Sequence, residues 1–129
     1  MNLEKELLSV DKYFSPRIIG EVNDHYIKVV KVKGDQVPWH NHIIEDEMFY
    51  IIKGSLLMEI ENQDAFIMRK GDIYVVKKAT NHRVSSKREC LIMLIEPKTT
   101  EHTGNIKSSI TKSVEQQKHS QIKSTFDDL

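Results

Sequence analysis

The sequence has little of several residues that define common protein classes. It contains one cysteine, three prolines and five glycines among 129 residues. A single cysteine excludes an intramolecular disulfide, so the fold is not a disulfide-stapled scaffold. Cys90 lies in the apolar run Cys90–Ile95, and we expect its thiol to pack as a small buried hydrophobic group rather than to react.

Long hydrophobic runs are also missing. No apolar stretch has the length of a membrane span or of a signal-peptide core. Charge of one sign is not in excess either, because 19 Lys and Arg balance 19 Asp and Glu. We therefore predict a cytoplasmic protein with no nucleic-acid partner and no membrane partner.

The length fits one domain with a single core. Leu3, Leu7 and Leu8 recur at roughly helical spacing before the breaker Ser15-Pro16. Residues 1–16 are therefore predicted to form a short N-terminal helix or arm, and residues 17–98 a β-barrel. Residues 99–129 turn polar, and we predict a C-terminal segment that is partly mobile in its last dozen residues.

Short β-branched and aromatic runs alternate with turn signals through residues 17–96, which predicts eight or nine short strands in an all-β sandwich or barrel. Leu56, Met58 and Ile60 alternate with Leu57, Glu59 and Glu61, as in a strand with one face in the core. The turn signals are Asn23-Asp24, Gly34-Asp35, Gly54-Ser55, Asn62-Gln63-Asp64, Gly71-Asp72 and Ser85-Ser86.

Two runs, Met48–Ile52 and Cys90–Ile95, are apolar at every position, so a strand formed by either run would be apolar on both faces. A strand of this kind needs cover on the outside of the barrel as well as the inside. The cover could come from the N-terminal arm or from a second subunit. We predict a homodimer, since twofold dimers are the commonest oligomers.

The most specific stretch is residues 34–54, where His40, His42 and Glu47 lie between two glycines. His40 and His42 differ by two positions, so on extended backbone both imidazoles project to the same side. Glu47 has the opposite parity. It can join them only if residues 43–46 form a loop or bulge that resets the phase.

A further imidazole follows at His82, eleven residues after the turn at Gly71. An isolated His-x-His in a strand is usually structural, but the whole constellation is rare by composition. We predict that His40, His42, Glu47 and His82 bind one divalent transition-metal ion. This N/O donor set suits Fe, Mn, Ni, Cu or Zn and does not choose among them.

The two motifs resemble those of the cupin superfamily over about Val30 to Glu96. The second motif departs from the family pattern, with Lys77, Ala79 and Ser86 where proline, glycine and asparagine are usual. The resemblance implies a double-stranded β-helix, or jelly-roll, with the metal at its mouth and with dimers common. The chain is most similar to small single-domain cupins labelled mannose-6-phosphate-isomerase-like, a label that states similarity and not activity.

The walls of the site follow from strand parity. In residues 25–33 the inward face carries Lys28, which we predict as a catalytic acid or base that a nearby cation would activate. The alternative is that Lys28 extends out of the barrel rim.

His25, His102 and His119 lack partners at ligand spacing and are predicted to be solvated. The predicted pocket residues are Tyr26, Phe49, Met58, Tyr74 and Met93.

Two functions remain open. The first is a metalloenzyme, of isomerase, lyase or dioxygenase type, that acts on a small oxygen-chelating substrate. The second is a non-catalytic module that captures a sugar, a carboxylate or the metal itself. In both, the partner is a small molecule.

Overall fold

The computed structural model describes residues 1–104 and 106–119, apart from the side chain of His119. The predictions for residues 120–129 and for the His119 side chain lie outside this part. Neither described helix is long and apolar enough to cross a membrane. The helices are α1 (Leu3–Leu8) and α2 (Val114–His119), and the strands are β1 (Arg17–Val22), β2 (His25–Gly34), β3 (Glu47–Lys53), β4 (Ser55–Ile60), β5 (Phe66–Arg69), β6 (Ile73–Val76) and β7 (His82–Pro97).

All strand pairs are antiparallel. Five strands follow the order β1-β2-β7-β3-β6, and β4 pairs with both β5 and β7. The first half of β7 therefore belongs to one sheet, with β4, and its second half to the other, with β2 and β3. This confirms the prediction of an all-β jelly-roll with a short N-terminal helix.

The length of β7 has a geometric consequence. Glu96 follows His82 by 14 residues, which would span about 46 Å in a straight strand. Both side chains nevertheless interact with Glu47 on β3. The strand must therefore curl around the barrel, and it brings its two ends to one place.

The predicted turn at Ser85-Ser86 is wrong, because the chain continues there as β7. The irregularity is real but smaller than a turn: the register between β2 and β7 shifts at Val32 and Gly34, and Gly34 pairs with Ser86. The Ser86 hydroxyl donates to the carbonyl of Ser55 at 2.9 Å. Two predicted strands are thus one bent strand, and the described residues form seven strands instead of eight or nine.

The barrel interior holds the main apolar cluster, which includes the buried side chains Val30, Phe49, Leu56, Met58 and Ile92. The alternation predicted for β4 is confirmed, since Leu56, Met58 and Ile60 are buried while Glu59 and Glu61 are not. Cys90 is also fully buried, and burial raises the pKa of its thiol to about 12. The thiol is therefore inert at neutral pH.

A second apolar cluster lies on the outside of the barrel. Leu7 of α1 and Val10 pack there against Val29, Ile52 and Leu91. The helix begins at its N-cap Asn2, whose side chain accepts a hydrogen bond from the Lys5 amide at 3.1 Å. The N-terminal arm thus provides part of the outer cover that the doubly apolar runs require.

Left-handed backbone conformations mark the other predicted turns, at Asn23, Gly34, Gly54, Asn62 and Gly71. Gly54 joins β3 to β4 with φ 84°, and a Cβ there would lie 2.6 Å from the carbonyl oxygen of Glu89. Gly71 has a similar φ of 91° but open space around it. These two glycines therefore separate the cost of the backbone conformation from the cost of a steric clash.

We predict that Gly71→Ala lowers the free energy of unfolding by about 1 to 2 kcal/mol, the cost of a left-handed non-glycine residue. Gly54→Ala should cost about 3 kcal/mol or more, because overpacking against Glu89 adds to that cost. Urea denaturation of the two variants measures the difference. Equal losses would show that the close approach at Gly54 does not exist in solution.

Candidate metal centre

His40 and His82 come together through the backbone. The two residues form an isolated antiparallel bridge, with each amide donating to the other's carbonyl at 3.0 and 2.9 Å. Their ring centroids lie 4.4 Å apart. The short bridge therefore joins the two motifs, whose bridged histidines are 42 positions apart in the chain.

Backbone carbonyls fix the orientation of both rings. The Nδ1 of His40 lies 2.8 Å from the carbonyl oxygen of Pro38, and the Nδ1 of His82 lies 2.9 Å from that of Thr80. A carbonyl can only accept, so each neutral ring carries its proton on Nδ1 and has a lone pair on Nε2. Burial, helped by the neighbouring His82, lowers the pKa of His40 to about 4. At neutral pH this ring is a neutral donor of a lone pair.

His42 completes a compact cluster. One ring nitrogen from each of His40, His42 and His82 lies within 4.8 Å of the others, and all three side chains are buried. Glu47 adjoins this cluster, with its Oε1 at 3.6 Å from the Nε2 of both His42 and His82. The structure thus brings together the four side chains that the sequence predicts as ligands.

The predicted loop that interrupts the strand alternation before Glu47 is present. Residues 41–46 lie outside any strand, between the bridge at His40 and the start of β3 at Glu47. The Asp46 carboxylate accepts from the Lys78 amide at 2.9 Å, and the Ala79 amide donates to the carbonyl of His42 at 2.7 Å. Ala79 has the left-handed φ of 62°. It thus keeps the conformation that a glycine would favour, although the residue itself departs from the family pattern.

A second carboxyl group, Glu96, lies behind Glu47 and was not predicted. Burial raises the pKa of Glu47, but contacts with Glu96, His42 and His82 outweigh it and hold that pKa well below its usual range. Burial and the Glu47 charge raise the pKa of Glu96 well above its usual range, against the opposing effect of Lys28. Of the two neighbouring carboxyl groups, Glu96 therefore keeps its proton to the higher pH. No sequence motif marks it, because its proximity depends on the curl of β7.

Lys28 is neither at the rim nor at the cavity wall. It is 1% exposed, and its Nζ lies 2.7 Å from the Oε1 of Glu96. The prediction that Lys28 faces inward is correct, but it contacts Glu96 and no other acid at ion-pair distance among the described residues. It is not placed to touch a ligand in the cavity.

A cavity of about 50 Å³ lies beside the cluster and is partly open to solvent. Of the predicted pocket residues, Phe49 lines it. The other four do not, and their placement corrects the prediction. Met58 lies deeper in the core and Met93 packs on the outer face. Tyr74 stacks on Phe66 at 4.9 Å, and the buried Tyr26 lies over Lys28 at 5.8 Å.

The prediction that Met93 faces the cavity relied on the two-residue alternation of a strand. It failed because this strand is apolar on both faces, so the sequence does not indicate which face is inside. Several wall residues carry no sequence signal at all. Phe14 of the arm and Thr103 of the C-terminal segment line the cavity, as does His102. The prediction that His102 is solvated is wrong: burial lowers its pKa to about 4. The path of the chain after Pro97 brings His102 and Thr103 to the barrel mouth, and the N-terminal arm brings Phe14 there.

The nitrogen atoms of the cluster fit a metal ion. Among the described residues, both ring nitrogens of His42 and the Nε2 of His82 are buried without a hydrogen-bond partner. A buried polar atom without a partner costs about 1 to 3 kcal/mol. A divalent transition metal would accept the lone pairs of imidazoles that carbonyls have already oriented, an arrangement typical of metal-binding histidines. His40, His42, His82 and Glu47 therefore form a chemically suitable donor set.

Comparisons with known proteins agree with this arrangement. A family described as "Cupin domain" matches residues 27–96. Over 83 residues the chain is 30% identical to the uncharacterized protein YdbB of Bacillus subtilis, covering 64% of this chain and 73% of YdbB. A cupin-2 domain protein of Shewanella frigidimarina has a similar crystal structure, with 36% identity and a TM-score of 0.72 over 76% of this chain and 94% of that one. A protein of Neisseria meningitidis is 29% identical with a TM-score of 0.69, covering 75% and 97% of the two chains.

The buried pair of Lys28 and Glu96 and the surface pair of Lys98 and Glu21 have nearly equal lengths, 2.7 and 2.8 Å, but very different exposure. We predict that Lys28→Met lowers the free energy of unfolding by about 3 kcal/mol, because it leaves an uncompensated buried charge. Lys98→Met should cost less than about 1 kcal/mol, as exposed pairs do. Urea denaturation measures both, and similar losses in the two variants would contradict the buried position of Lys28.

Proposed function

Because the chain belongs to the cupin domain family, which matches residues 27–96, we propose that it is a metalloprotein with one divalent transition-metal ion. The proposed ligands are His40, His42, His82 and Glu47. We further propose that this centre acts on a small oxygen-chelating substrate, as an isomerase, lyase or dioxygenase does. The substrate and the identity of the metal are open.

One observation carries the proposal. Three buried imidazoles converge to within 4.8 Å, and three of their nitrogens lack a partner among the described residues. A purely structural histidine cluster would satisfy those nitrogens with protein groups. The ion would supply a Lewis-acid site for oxygen donors. The protein contributes a mostly apolar cavity and a carboxylate that balances part of the charge.

A second candidate function has its own support. Lys28, the acid or base that the sequence predicts, pairs with Glu96 and does not line the cavity. A site with few proton-transfer groups favours capture of a small molecule without turnover. The alternative is therefore a non-catalytic module that binds a carboxylate, a small sugar or the metal itself at the same four residues.

We predict that protein purified without chelators contains close to one equivalent of a transition metal, measured by plasma mass spectrometry. His42→Ala should lose most of this metal, because it removes one of the three clustered imidazoles. His25→Ala is the matched control, since His25 is exposed at the start of β2. Unchanged metal content in His42→Ala would show that the ligand assignment is wrong.

The same metal analysis directs the choice between the two functions. Iron, with oxygen uptake that depends on an added substrate, would support a dioxygenase. Zinc or nickel, with turnover of hydroxy-ketones or other carbonyl compounds, would support an isomerase or lyase. Saturable binding across such a panel with no turnover would support the binding module.

We also propose that the protein forms a homodimer through the outer face of β3, β6 and β7. Residues that pair directly across a sheet share a face. Ile95, Met48 and Val75 form one such row, and Met93, Tyr50 and Ile73 form the next. Ile73 is 60% exposed. These rows continue the outer cluster under α1, so a second copy would extend an apolar surface that the arm only partly covers.

We predict that light scattering at micromolar concentration gives a mass of two chains. Ile73→Lys should shift the protein to the monomer, because it places a charge within the apolar rows. Ile67→Lys is the control, as Ile67 is similarly exposed on β5 and outside those rows. A wild-type monomer, or equal dissociation of both variants, would contradict this interface.

A further inference from the structure

The C-terminal segment after β7 packs over the mouth of the barrel, against the first ligand motif. Gly104 approaches so closely that a Cβ there would lie 2.1 Å from the carbonyl oxygen of Asn41 and 3.0 Å from the ring of His40. The Thr99 hydroxyl donates to the Glu45 carboxylate at 3.2 Å. Farther on, Ile110 is buried in the main core cluster. Residues 99–104 therefore lie next to the metal ligands.

This segment places His102 at the cavity wall together with His40, Glu47 and His82. His102 is not a member of the compact ligand cluster. Its ring faces the cavity without joining the three imidazoles.

The protonation of His102 follows from one hydrogen bond. The amide of Lys112 donates to its Nδ1 at 2.8 Å. A neutral imidazole that accepts at Nδ1 carries its proton on Nε2. Burial holds the pKa of the ring at about 4, so it is neutral at physiological pH. His102 thus has the opposite tautomer to His40 and His82, whose Nε2 atoms have lone pairs.

In the cavity wall, the Nε2–H group of His102 is a hydrogen-bond donor without an acceptor among the described residues. Thr103, the other polar side chain of the wall outside the ligand set, has its hydroxyl bonded to Ile106 and Thr111. Among the described residues, His102 Nε2 has no hydrogen-bond partner. The remaining walls are apolar side chains and Pro16.

The cavity beside the cluster is small, about 50 Å³, and it is partly open to solvent. A small carboxylate, with two oxygens and few carbon atoms, suits such a space.

We propose that His102 is a ligand-binding residue of this cavity, where its Nε2–H donates a hydrogen bond to an oxygen of a small carboxylate held at the metal centre. This inference rests on the proposed metal function. It adds a specific donor and a chemical class to it.

Two substitutions separate the two nitrogens of the ring. In His102→Asn, the side-chain oxygen replaces Nδ1 and keeps the acceptor for the Lys112 amide, but the donor at the Nε2 position is lost. In His102→Gln, the amide nitrogen replaces Nε2 and keeps the donor. The probe is acetate, which has four non-hydrogen atoms, titrated into cobalt(II)-loaded protein and followed by visible absorption.

We expect His102→Asn to weaken acetate binding by about tenfold or more, as for loss of a hydrogen bond to a charged group. His102→Gln should keep affinity close to wild type, and cobalt content should be equal in all three proteins. A merely structural role would not distinguish the two variants in this way. Unchanged affinity in His102→Asn at full cobalt content would overturn the assignment of His102 alone, as would a cobalt-loaded wild type that binds no acetate.

A wild type that takes up no cobalt would overturn the proposed metal centre and this inference with it.

A second measurement needs no variant and covers the case in which His102→Asn folds poorly. In zinc-loaded wild-type protein, the Nε2–H resonance of His102 should be visible by ¹⁵N-correlated NMR and should move when acetate is added. A resonance that does not respond to saturating acetate would overturn the proposal.

Discussion

The structure depends on one constraint, which is the burial of imidazole nitrogens that have no hydrogen-bond partner among the described residues. His42 and His82 place three such atoms inside a barrel whose other contents are mainly apolar. Each costs about 1 to 3 kcal/mol if nothing binds it, a large part of the stability of a small domain. A bound cation would remove this cost, because the same lone pairs would become ligands. The proposed metal function therefore accounts for both the burial of these nitrogens and their missing partners.

The architecture explains how a short chain brings these groups together. The curled strand β7 supplies His82 at its start and Glu96 near its end, and β3 supplies Glu47 between them. Lys28 on β2 then balances the charge of the two carboxyl groups from behind. The site thus has an ordered outer layer of Lys28, Glu96 and two backbone carbonyls. Such groups orient the ligands and set their basicity.

Much of this was predictable from the sequence, for identifiable reasons. The spacing of His40, His42, Glu47 and His82 indicates a converging set, and the need for a loop at residues 43–46 follows from the two-residue period of a strand. Turn positions such as Gly54 and Asn62 follow from their tolerance of left-handed backbone. These inferences succeed because they depend on local geometry, which neighbouring residues determine.

Failures of prediction arise where geometry is not local. Met93 was misplaced because an apolar residue in a strand covered on both faces gives no parity signal. Glu96 was missed because the curl of β7 cannot be read from composition, and Ser85-Ser86 marks a bend where a turn was expected. His102 lies in a polar segment that has the composition of a solvated tail. Its position depends on tertiary contacts at Asn41, Glu45 and Ile110.

The most direct test of the central claim is X-ray absorption at the edge of whichever metal the purified protein contains. We expect a first shell at about 2.0 to 2.2 Å made of nitrogen and oxygen donors, with the outer scattering of three imidazole rings. That signal would be lost in a protein in which His40, His42 and His82 are all replaced. A first shell of water oxygens alone, or a protein that holds no transition metal under any loading condition, would contradict the assignment of these three histidines as ligands.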